Sequence, residues 1–185
     1  MATIFSHALV VVTAGSIARL DTRVIGWGAL LAILPDVDVI GLPFGVAHYD
    51  WFGHRGFTHS LVFAGAATAA VMFFAIREIR ANTRAWWAVF MFLLASAASH
   101  GLFDAMTNGG AGIAFFSPFS NTRYFLPWRP LEVSPIGRDF FSAGGIDTLL
   151  SEAQWLWLPC AVAWIAVAAV RRHSKLPPHD HHIRR

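Results

Sequence analysis

Five apolar runs, separated by short clusters of basic residues, constrain this 185-residue chain more than any other feature. The runs cover residues 3–18, 24–34 (with a break at Pro35 and a continuation to 42), 60–76, 86–103 and 153–170. A transmembrane helix needs about 20 consecutive apolar residues, with a range of roughly 17–25. By that measure the last three runs can cross a bilayer, the first is marginal and the second is short. The pattern predicts an all-α, polytopic membrane bundle of about five apolar helices.

The composition supports a membrane protein and argues against nucleic-acid binding. The chain is 56% hydrophobic and 14% charged, whereas soluble domains average about 45–50% apolar and about 25% charged residues. Its eight tryptophans and sixteen phenylalanines suit the lipid–water boundary, where aromatic rings concentrate. The formal charge of +3 lies in clusters between the apolar runs, which is the pattern of membrane topology rather than of a nucleic-acid surface.

The longest connection, residues 104–152, is rich in glycine, proline and aromatic residues. This composition predicts an ordered aromatic cap that lies at the membrane interface. We therefore expect one membrane-embedded domain, 1–170, which includes the cap, followed by a polar tail, 171–185. Terminal polar tails are usually mobile, so metal binding by the tail would be incidental. The tail carries a cluster of three histidines, His179, His181 and His182.

The basic residues predict an orientation in the membrane. In a five-span arrangement, ten of the 14 basic residues fall on one side, in clusters at 19–23, 77–84 and 171–185. Cytoplasmic loops carry the excess of Lys and Arg, so the N-terminus is expected outside and the C-terminus in the cytoplasm. The basic residues on the other side are Arg55, Arg123, Arg129 and Arg138.

Seven histidine and aspartate residues from four segments fall at one level of this arrangement, on its outer side. His100 and Asp104 are four residues apart and share a helix face, and Pro35 frees the aspartates that follow it by ending the second helix. Ionisable groups in so apolar a chain are by default functional. Imidazole combined with carboxylate suits zinc, iron or manganese. The candidate metal ligands are His7, Asp36, Asp38, His54, His59, His100 and Asp104.

Local signals bear on how these ligands are held. Thr58 is the expected N-cap of the third helix, which would place His59 beside the positive end of that helix. At about 1.5 Å per helical residue, Arg84 to His100 spans ~24 Å of a hydrocarbon core about 30 Å thick. The site is therefore expected below the outer surface, where the bilayer could present a substrate. Taken singly, His7 could instead hydrogen-bond a neighbouring helix, and an aspartate after a proline could be a turn residue.

The order of these motifs resembles the YdjM-like family of bacterial inner-membrane proteins. The resemblance rests on Leu-Pro-Asp-Val-Asp at 34–38, His-Arg-Gly-Phe-Thr-His-Ser at 54–60 and Ser-His-Gly-Leu-Phe-Asp at 99–104. The family is described as membrane-bound, metal-dependent hydrolases, some of them under LexA control, with distant similarity to zinc-dependent phospholipase C and P1-type nucleases. The resemblance implies a multi-pass protein of the bacterial inner membrane with the same seven ligands, and the orientation expected from the basic residues places them close to its periplasmic side.

Site chemistry and resemblance together predict hydrolysis of a phosphoester, either of a phospholipid or of another lipid-linked phosphate. Two or more divalent ions, zinc in preference to manganese or iron, would activate water and stabilise charge on the phosphoryl group. The candidate bridging ligand is Asp36 or Asp104. The candidate catalytic residues are Asp38, as a general base, and Arg55, whose planar fork suits phosphate oxygens. The expected partners are the lipid bilayer and a lipid substrate.

Three other functions remain open at this point. A metal-ion transporter would also place His and Asp inside a bundle, but its polar groups should continue toward the cytoplasmic side. A non-catalytic, metal-stabilised scaffold would close its coordination sphere with protein ligands, whereas a catalytic ion keeps a position for water. The third alternative is an enzyme that hydrolyses carboxylic esters or peptides. The chain has no His-Glu-x-x-His motif, which argues against a zinc protease. The sequence leaves the oligomeric state open.

Overall fold

Apolar helices carry the chain back and forth between two ends of a bundle. The computed structural model describes residues 1–173. Over that range regular structure is helical apart from two isolated β-bridges, which confirms the all-α prediction. The α-helices are α1 (Ile4–Ile17), α2 (Thr22–Ile33), α3 (Leu61–Phe74), α4 (Arg84–Ala105), α5 (Ala143–Glu152) and α6 (Leu158–His173). The shorter pieces are 3-10 helices at Leu34–Phe44, Phe57–His59 and Gly137–Phe141 and a π-helical turn at Ala153–Trp157.

Three continuous helical stretches are long and apolar enough to cross a membrane. They are Thr22–Phe44 with 23 residues, Arg84–Ala105 with 22 and Ala143–His173 with 31. Helices α1 and α3 are apolar but have 14 residues each, below the usual range of roughly 17–25. The membrane-bundle prediction is confirmed, with two corrections to the lengths. The second run is long because a 3-10 segment extends α2, and the third is short because α3 ends at Phe74.

The last span begins ten residues earlier than the sequence suggests. Residues 143–152, predicted as part of the cap, form α5, which continues through the π-helical turn into α6. Gly144, Gly145 and Asp147 give this stretch a low helix propensity, so only its packing makes it helical. Helix α6 extends through His173 and takes in the first residues of the predicted tail. The remainder of that tail, with its three histidines, lies outside the described residues.

Close approach between helices determines how the bundle packs. Helix α1 packs on α2, α2 and α3 pack on α4, and α6 packs on α1. A Cβ atom built on Gly28 of α2 would lie 2.8 Å from Phe92 Cε1 and 3.1 Å from Val11 Cγ1. Glycine therefore lets α1, α2 and α4 meet at this point, as small residues commonly do between helices in lipid. The apolar core below includes Val24, Leu31, Ala64, Leu93 and Ala97.

The two ends of the bundle differ in charge. At one end Arg23 forms a 2.9 Å ion pair with Glu78, and Arg171 Nη2 donates to the carbonyl oxygen of Ile17 at 2.5 Å. These contacts join the end of α1, the start of α2, the segment after α3 and the end of α6. The opposite end holds the start of α1, the residues after α2, the turn before α3 and the last turns of α4. Every predicted metal ligand lies at this second end.

An ordered cap, residues 106–142, covers the ligand end. Its backbone is tied to the bundle, since Leu61 N–H donates to Phe115 O at 3.0 Å and Ala114 N–H donates to Arg55 O at 3.1 Å. Large aromatic side chains remain exposed, to 84% in the case of Phe119. The segment therefore has the order and aromatic surface that its composition predicts. The exposed aromatic residues of the cap are Phe116, Phe119, Tyr124, Trp128 and Phe141.

Candidate metal centre

Four predicted ligands form one compact group at the ligand end. Asp36, His59, His100 and Asp104 each offer one donor atom, and these atoms all lie within 4.8 Å of one another. His59 Nε2 and His100 Nε2 are 3.0 Å apart, and His100 Nε2 lies 3.3 Å from Asp36 Oδ1. Asp104 Oδ2 completes the group at 3.7 Å and 3.9 Å from the same two nitrogens. Two imidazoles and two carboxylates thus converge in the interior of the bundle.

The imidazole of His100 is held in one tautomer by the backbone of α2. His100 Nδ1 lies 2.7 Å from the carbonyl oxygen of Ala32. Because a carbonyl oxygen only accepts hydrogen bonds, Nδ1 carries the proton, and in the neutral ring Nε2 keeps its lone pair. That lone pair faces the four-residue group.

His59 is oriented in the same way, by Asp38. His59 Nδ1 lies 3.2 Å from Asp38 Oδ2 and 3.1 Å from Thr58 Oγ1. Thr58 donates its own hydroxyl hydrogen to Asp38 Oδ2 at 2.6 Å, so both neighbours of Nδ1 act as acceptors. Neutral His59 therefore carries its proton on Nδ1 and presents the lone pair of Nε2 to His100. A carboxylate behind an imidazole is the usual arrangement for metal-binding histidines.

This convergence of lone pairs fits a bound cation. Zn–N bonds of about 2.0–2.1 Å at tetrahedral angles separate two ligand nitrogens by about 3.4 Å, close to the 3.0 Å between His59 Nε2 and His100 Nε2. Both oxygens of Asp36 and Oδ2 of Asp104 are buried without a hydrogen-bond partner among the described residues. Buried carboxylates need a compensating charge. The donor set therefore fits a divalent metal ion.

His7 lies on the other side of Asp104. Its ring stacks on His100 with centroids 4.0 Å apart, and its Nε2 is 3.5 Å from Asp104 Oδ1. Neither ring nitrogen of His7 has a hydrogen-bond partner among residues 1–173. Asp104 thus faces His7 with one oxygen and the four-residue group with the other. Of the two aspartates predicted as a bridge between ions, Asp104 has this two-sided geometry.

Asp38 and His54 form a supporting cluster with His59. Asp38 Oδ1 lies 2.8 Å from His54 Nδ1, while Oδ2 accepts from Thr58 and lies beside His59. The backbone N–H of Arg55 also donates to Asp38 Oδ2, at 3.3 Å. The carboxylate of Asp38 therefore provides hydrogen-bond acceptors for both histidines and for Thr58. The geometry gives Asp38 the contacts of a carboxylate that orients imidazoles, while its predicted roles as a ligand and a base stay predictions.

Arg55 is buried in the site, with 1% of its surface exposed. Its Nε lies 3.4 Å from Asp104 Oδ2, Nη1 donates to Gly109 O at 2.9 Å, and Nη2 donates to Thr107 Oγ1 at 3.0 Å. Its backbone has φ = 68°, the left-handed region that few residues other than glycine adopt. These contacts join the cap to α4 and place a positive charge beside Asp104. They favour support of Asp104 over the predicted phosphate clamp.

Known proteins resemble the chain over nearly its whole length. The family model described as "YdjM inner membrane protein" matches residues 1–175. The chain belongs to the YdjM inner membrane protein family. It is 39% identical over 163 residues to the inner membrane protein YbcI of Escherichia coli (strain K12), which covers 86% of this chain and 92% of that protein. No solved structure matches it. The family model and the relative confirm the expected membership of the YdjM-like family. They also confirm the expectation of an inner-membrane protein.

The structure corrects the residue expected as the N-cap of the third helix. Ser60, not Thr58, is the N-cap of α3, since its Oγ accepts the N–H of Phe63 at 3.1 Å. The 3-10 turn Phe57–His59 comes first. Thr58 is thereby freed to bind Asp38, which explains why His59 is still held in place.

Sequence reasoning missed one buried carboxylate beside the centre. Glu152 is fully buried at the end of α5 and accepts hydrogen bonds from the backbone N–H of Thr3 and from the hydroxyls of Thr3 and Ser6, the hydroxyl distances both being 2.6 Å. Trp157 Nε1 also donates to Ser6 Oγ at 2.7 Å. These bonds anchor the start of α1 beside His7. The available signal was a lone acidic residue directly before an apolar run.

Proposed function

We propose that this YdjM-family protein is a membrane-bound, metal-dependent hydrolase that cleaves a phosphoester of a phospholipid or another lipid-linked phosphate. The observation that carries the proposal is the pair of imidazole lone pairs that converge, in an apolar bundle, with three buried carboxylate oxygens that accept no hydrogen bond among the described residues, both of Asp36 and Oδ2 of Asp104. Zinc is the preferred ion because the donors are nitrogen and oxygen in a four-residue set. When bound there, an ion would lower the pKa of water and offset charge on a phosphoryl group.

The chain's own residues would prepare the site for that chemistry. Asp38 and the Ala32 carbonyl hold the tautomers of His59 and His100, so that both offer lone pairs inward. The N–H of Ala2 donates to Asp104 Oδ1 at 2.7 Å and keeps that carboxylate in place. His7, with both nitrogens unpartnered, is the candidate ligand for a second ion that would share Asp104. Such prior orientation keeps the cost of reorganisation out of the reaction step.

Access to the centre favours a hydrolase over a closed structural site. The side chain of Asp36 is 6% exposed and lines a cavity, whereas the side chains of His59, His100 and Asp104 are fully buried. The donor group therefore borders this cavity through the Asp36 side chain, although the two oxygens of Asp36 are themselves buried. A structural ion is enclosed by protein ligands, while a catalytic one keeps an open position.

The distribution of buried polar groups argues against a metal transporter. Among residues 1–173, every buried ionisable side chain lies at the ligand end. Below that end the space between α2, α3 and α4 is filled by apolar side chains such as Leu31, Leu93 and Ala97. A route for a hydrated ion through a bilayer needs polar or ionisable groups along its length. Among the described residues, the buried polar side chains in that space are Thr68 and Ser96, and neither is ionisable.

Metal analysis combined with lipid hydrolysis tests the proposal. Purified wild type is expected to retain divalent metal after dialysis and to release phosphate or a phosphorylated head group from at least one member of a phospholipid and lipid-phosphate panel. His59→Ala and Asp104→Ala should lose both the metal and the activity. His173→Ala and Asp50→Ala are the matched controls, since both residues lie outside the centre, and both should retain the two properties.

Two results would contradict the proposal. Full metal occupancy in both His59→Ala and Asp104→Ala would show that His59 and Asp104 are not required as metal ligands. Metal loss in those variants, together with no turnover of any lipid by metal-loaded wild type, would favour a metal-stabilised scaffold.

A further inference from the structure

An apolar cavity of about 490 Å³ ends at the metal centre. It lies between the start of α1, the 3-10 segment after α2 and the turn Gly137–Phe141 of the cap. This volume falls within the roughly 300–1,000 Å³ typical of ligand pockets. The residues that form its walls include Phe5, Val39, Ile136, Phe140 and Phe141, and Asp36 is its one carboxylate among the described residues.

Asp36 belongs both to the wall of the cavity and to the donor group. Both oxygens of Asp36 lack hydrogen-bond partners among the described residues, and Oδ1 lies 3.3 Å from His100 Nε2. A molecule that fills the cavity therefore places one end against the Asp36 side chain, the part of the centre that borders the cavity. The rest of that molecule meets phenylalanine, valine and isoleucine side chains.

The rim of the cavity is apolar and exposed on the outside of the bundle. Phe141 is 89% exposed and Phe5 is 60% exposed. Gly137, at φ = 70°, gives the turn that brings Phe140 and Phe141 to the rim, a conformation that glycine adopts without strain. In a membrane protein an exposed apolar rim of this kind suits contact with lipid, and such contact would let the cavity open sideways toward hydrocarbon.

We propose that this cavity holds one hydrocarbon chain of a phosphate-bearing lipid, which enters sideways from the bilayer and places its phosphate at the Asp36 edge. The inference rests on the proposed function, because bound metal supplies the positive charge that a phosphate needs beside Asp36 and Asp104. The cavity supplies the apolar part of recognition: hydrocarbon gains free energy there without any polar partner. A diacyl phospholipid and a polyprenyl phosphate share this chemistry.

Crosslinking tests occupancy without depending on turnover. The metal-loaded, full-length protein is placed in phosphatidylcholine vesicles that contain a trace of phosphatidylglycerol with a diazirine near the end of one acyl chain. After illumination, crosslinked peptides are mapped by mass spectrometry. We expect crosslinks to residues 134–141 and 36–40 that excess unlabelled lipid phosphate removes. Crosslinks to the outer face of α6, around Val162 and Ile165, should not be removed. Competition by phosphatidic acid and by undecaprenyl phosphate in separate arms distinguishes the two lipid sources.

Narrowing the cavity provides the second measurement. Val39→Trp, or Ile136→Trp on the facing wall if the first variant does not fold, should abolish the competable crosslinks. Either variant should also lower the preference for long-chain over dihexanoyl substrate by at least about tenfold, since expelling even two methylene groups from an apolar site costs that much. Val162→Trp, on the exposed face of α6, is the matched control and should change neither quantity.

The outcomes separate this inference from the proposed function. Competable crosslinks in a protein that hydrolyses no lipid would support the cavity as a lipid site and reject the hydrolase. Hydrolysis together with crosslinks that no competitor removes, and with unchanged chain preference in Val39→Trp and Ile136→Trp, would overturn the cavity assignment.

Discussion

Among single residues, the groups behind the imidazoles decide what His59 and His100 can bind. A backbone carbonyl stands behind His100 and a carboxylate behind His59. Each of these groups accepts a hydrogen bond from Nδ1–H, so both rings offer the lone pair of Nε2 to the same point. The sequence could show that these residues meet, but which nitrogen each offers is a property of partners distant in the chain.

A substitution at Asp38 separates an orienting role from direct ligation. Asp38→Asn replaces one acceptor oxygen by an NH₂ group that faces an N–H or O–H donor of His54, Thr58 or His59. We expect metal affinity to fall by about 10–100-fold, the usual effect of removing a partner that orients a ligand. Competition with a chromophoric chelator measures this loss. Asp50→Asn is the same change in a loop and should leave affinity unchanged, whereas a loss at Asp38 as complete as that of His59→Ala would make Asp38 a direct ligand.

Arg55 offers a similar test between support and substrate binding. Arg55→Met removes the charge beside buried Asp104 and the bonds to Gly109 and Thr107. Breaking a buried ion pair by removing one partner costs about 3–5 kcal/mol, so the thermal unfolding midpoint in detergent should fall clearly. Arg129→Met, at an exposed arginine that stacks on Phe125, should shift it little. An unchanged midpoint in Arg55→Met with lost turnover would instead restore the phosphate-clamp role.

Among the helices, the change from α-helix to 3-10 helix after α2 positions two carboxylates of the candidate metal centre. Pro35 stands at the start of the 3-10 segment Leu34–Phe44, where its missing N–H leaves no bond unmade. Asp36 then faces His100, and Asp38 faces His54 and His59. One short segment thereby supplies both a candidate ligand and the carboxylate behind another candidate ligand.

The crossing of α1, α2 and α4 gives a prediction at the same scale. Gly28→Val should destabilise the bundle by about 1–3 kcal/mol, the usual cost of overpacking, because its Cβ atom would meet Phe92 and Val11 at 2.8 Å and 3.1 Å. Gly26→Val is the matched control: it lies one half-turn away on the same helix, and a Cβ atom there would meet nothing within 4 Å. Equal unfolding midpoints for the two variants would contradict this packing.

For the whole molecule, the separation of basic and ligand ends gives a prediction of sidedness. We expect the basic end in the cytoplasm, since Lys and Arg concentrate in cytoplasmic loops. In a Cys160→Ala background, Thr122→Cys in the cap should react with a membrane-impermeant maleimide on intact spheroplasts. Ala81→Cys, an exposed position between Arg80 and Arg84, should react only after the membrane is permeabilised. The reverse labelling would place the centre on the cytoplasmic side.

The sequence was sufficient for the bundle and for which ionisable residues gather at its ligand end, because apolar runs and ionisable residues within them are local signals. It gave wrong lengths for two helical stretches. One is extended by the 3-10 helix Leu34–Phe44, and the other begins with α5, whose residues have a low helix propensity. It also missed contacts between residues far apart in the chain. Arg55 lies 52 positions from Thr107, and Thr3 lies 149 positions from Glu152. No local pattern encodes such pairs.

The bonds from Thr3 and Ser6 to Glu152 carry a consequence for how the protein is made. Membrane proteins emerge from the ribosome in order, so α1 enters the bilayer long before residue 152 has been synthesised. Until then the polar groups at the start of α1 lack the carboxylate that holds them, and His7 lacks this support for its position beside Asp104. We therefore expect the metal centre to be completed late in synthesis, once the last span has closed the bundle against its first helix.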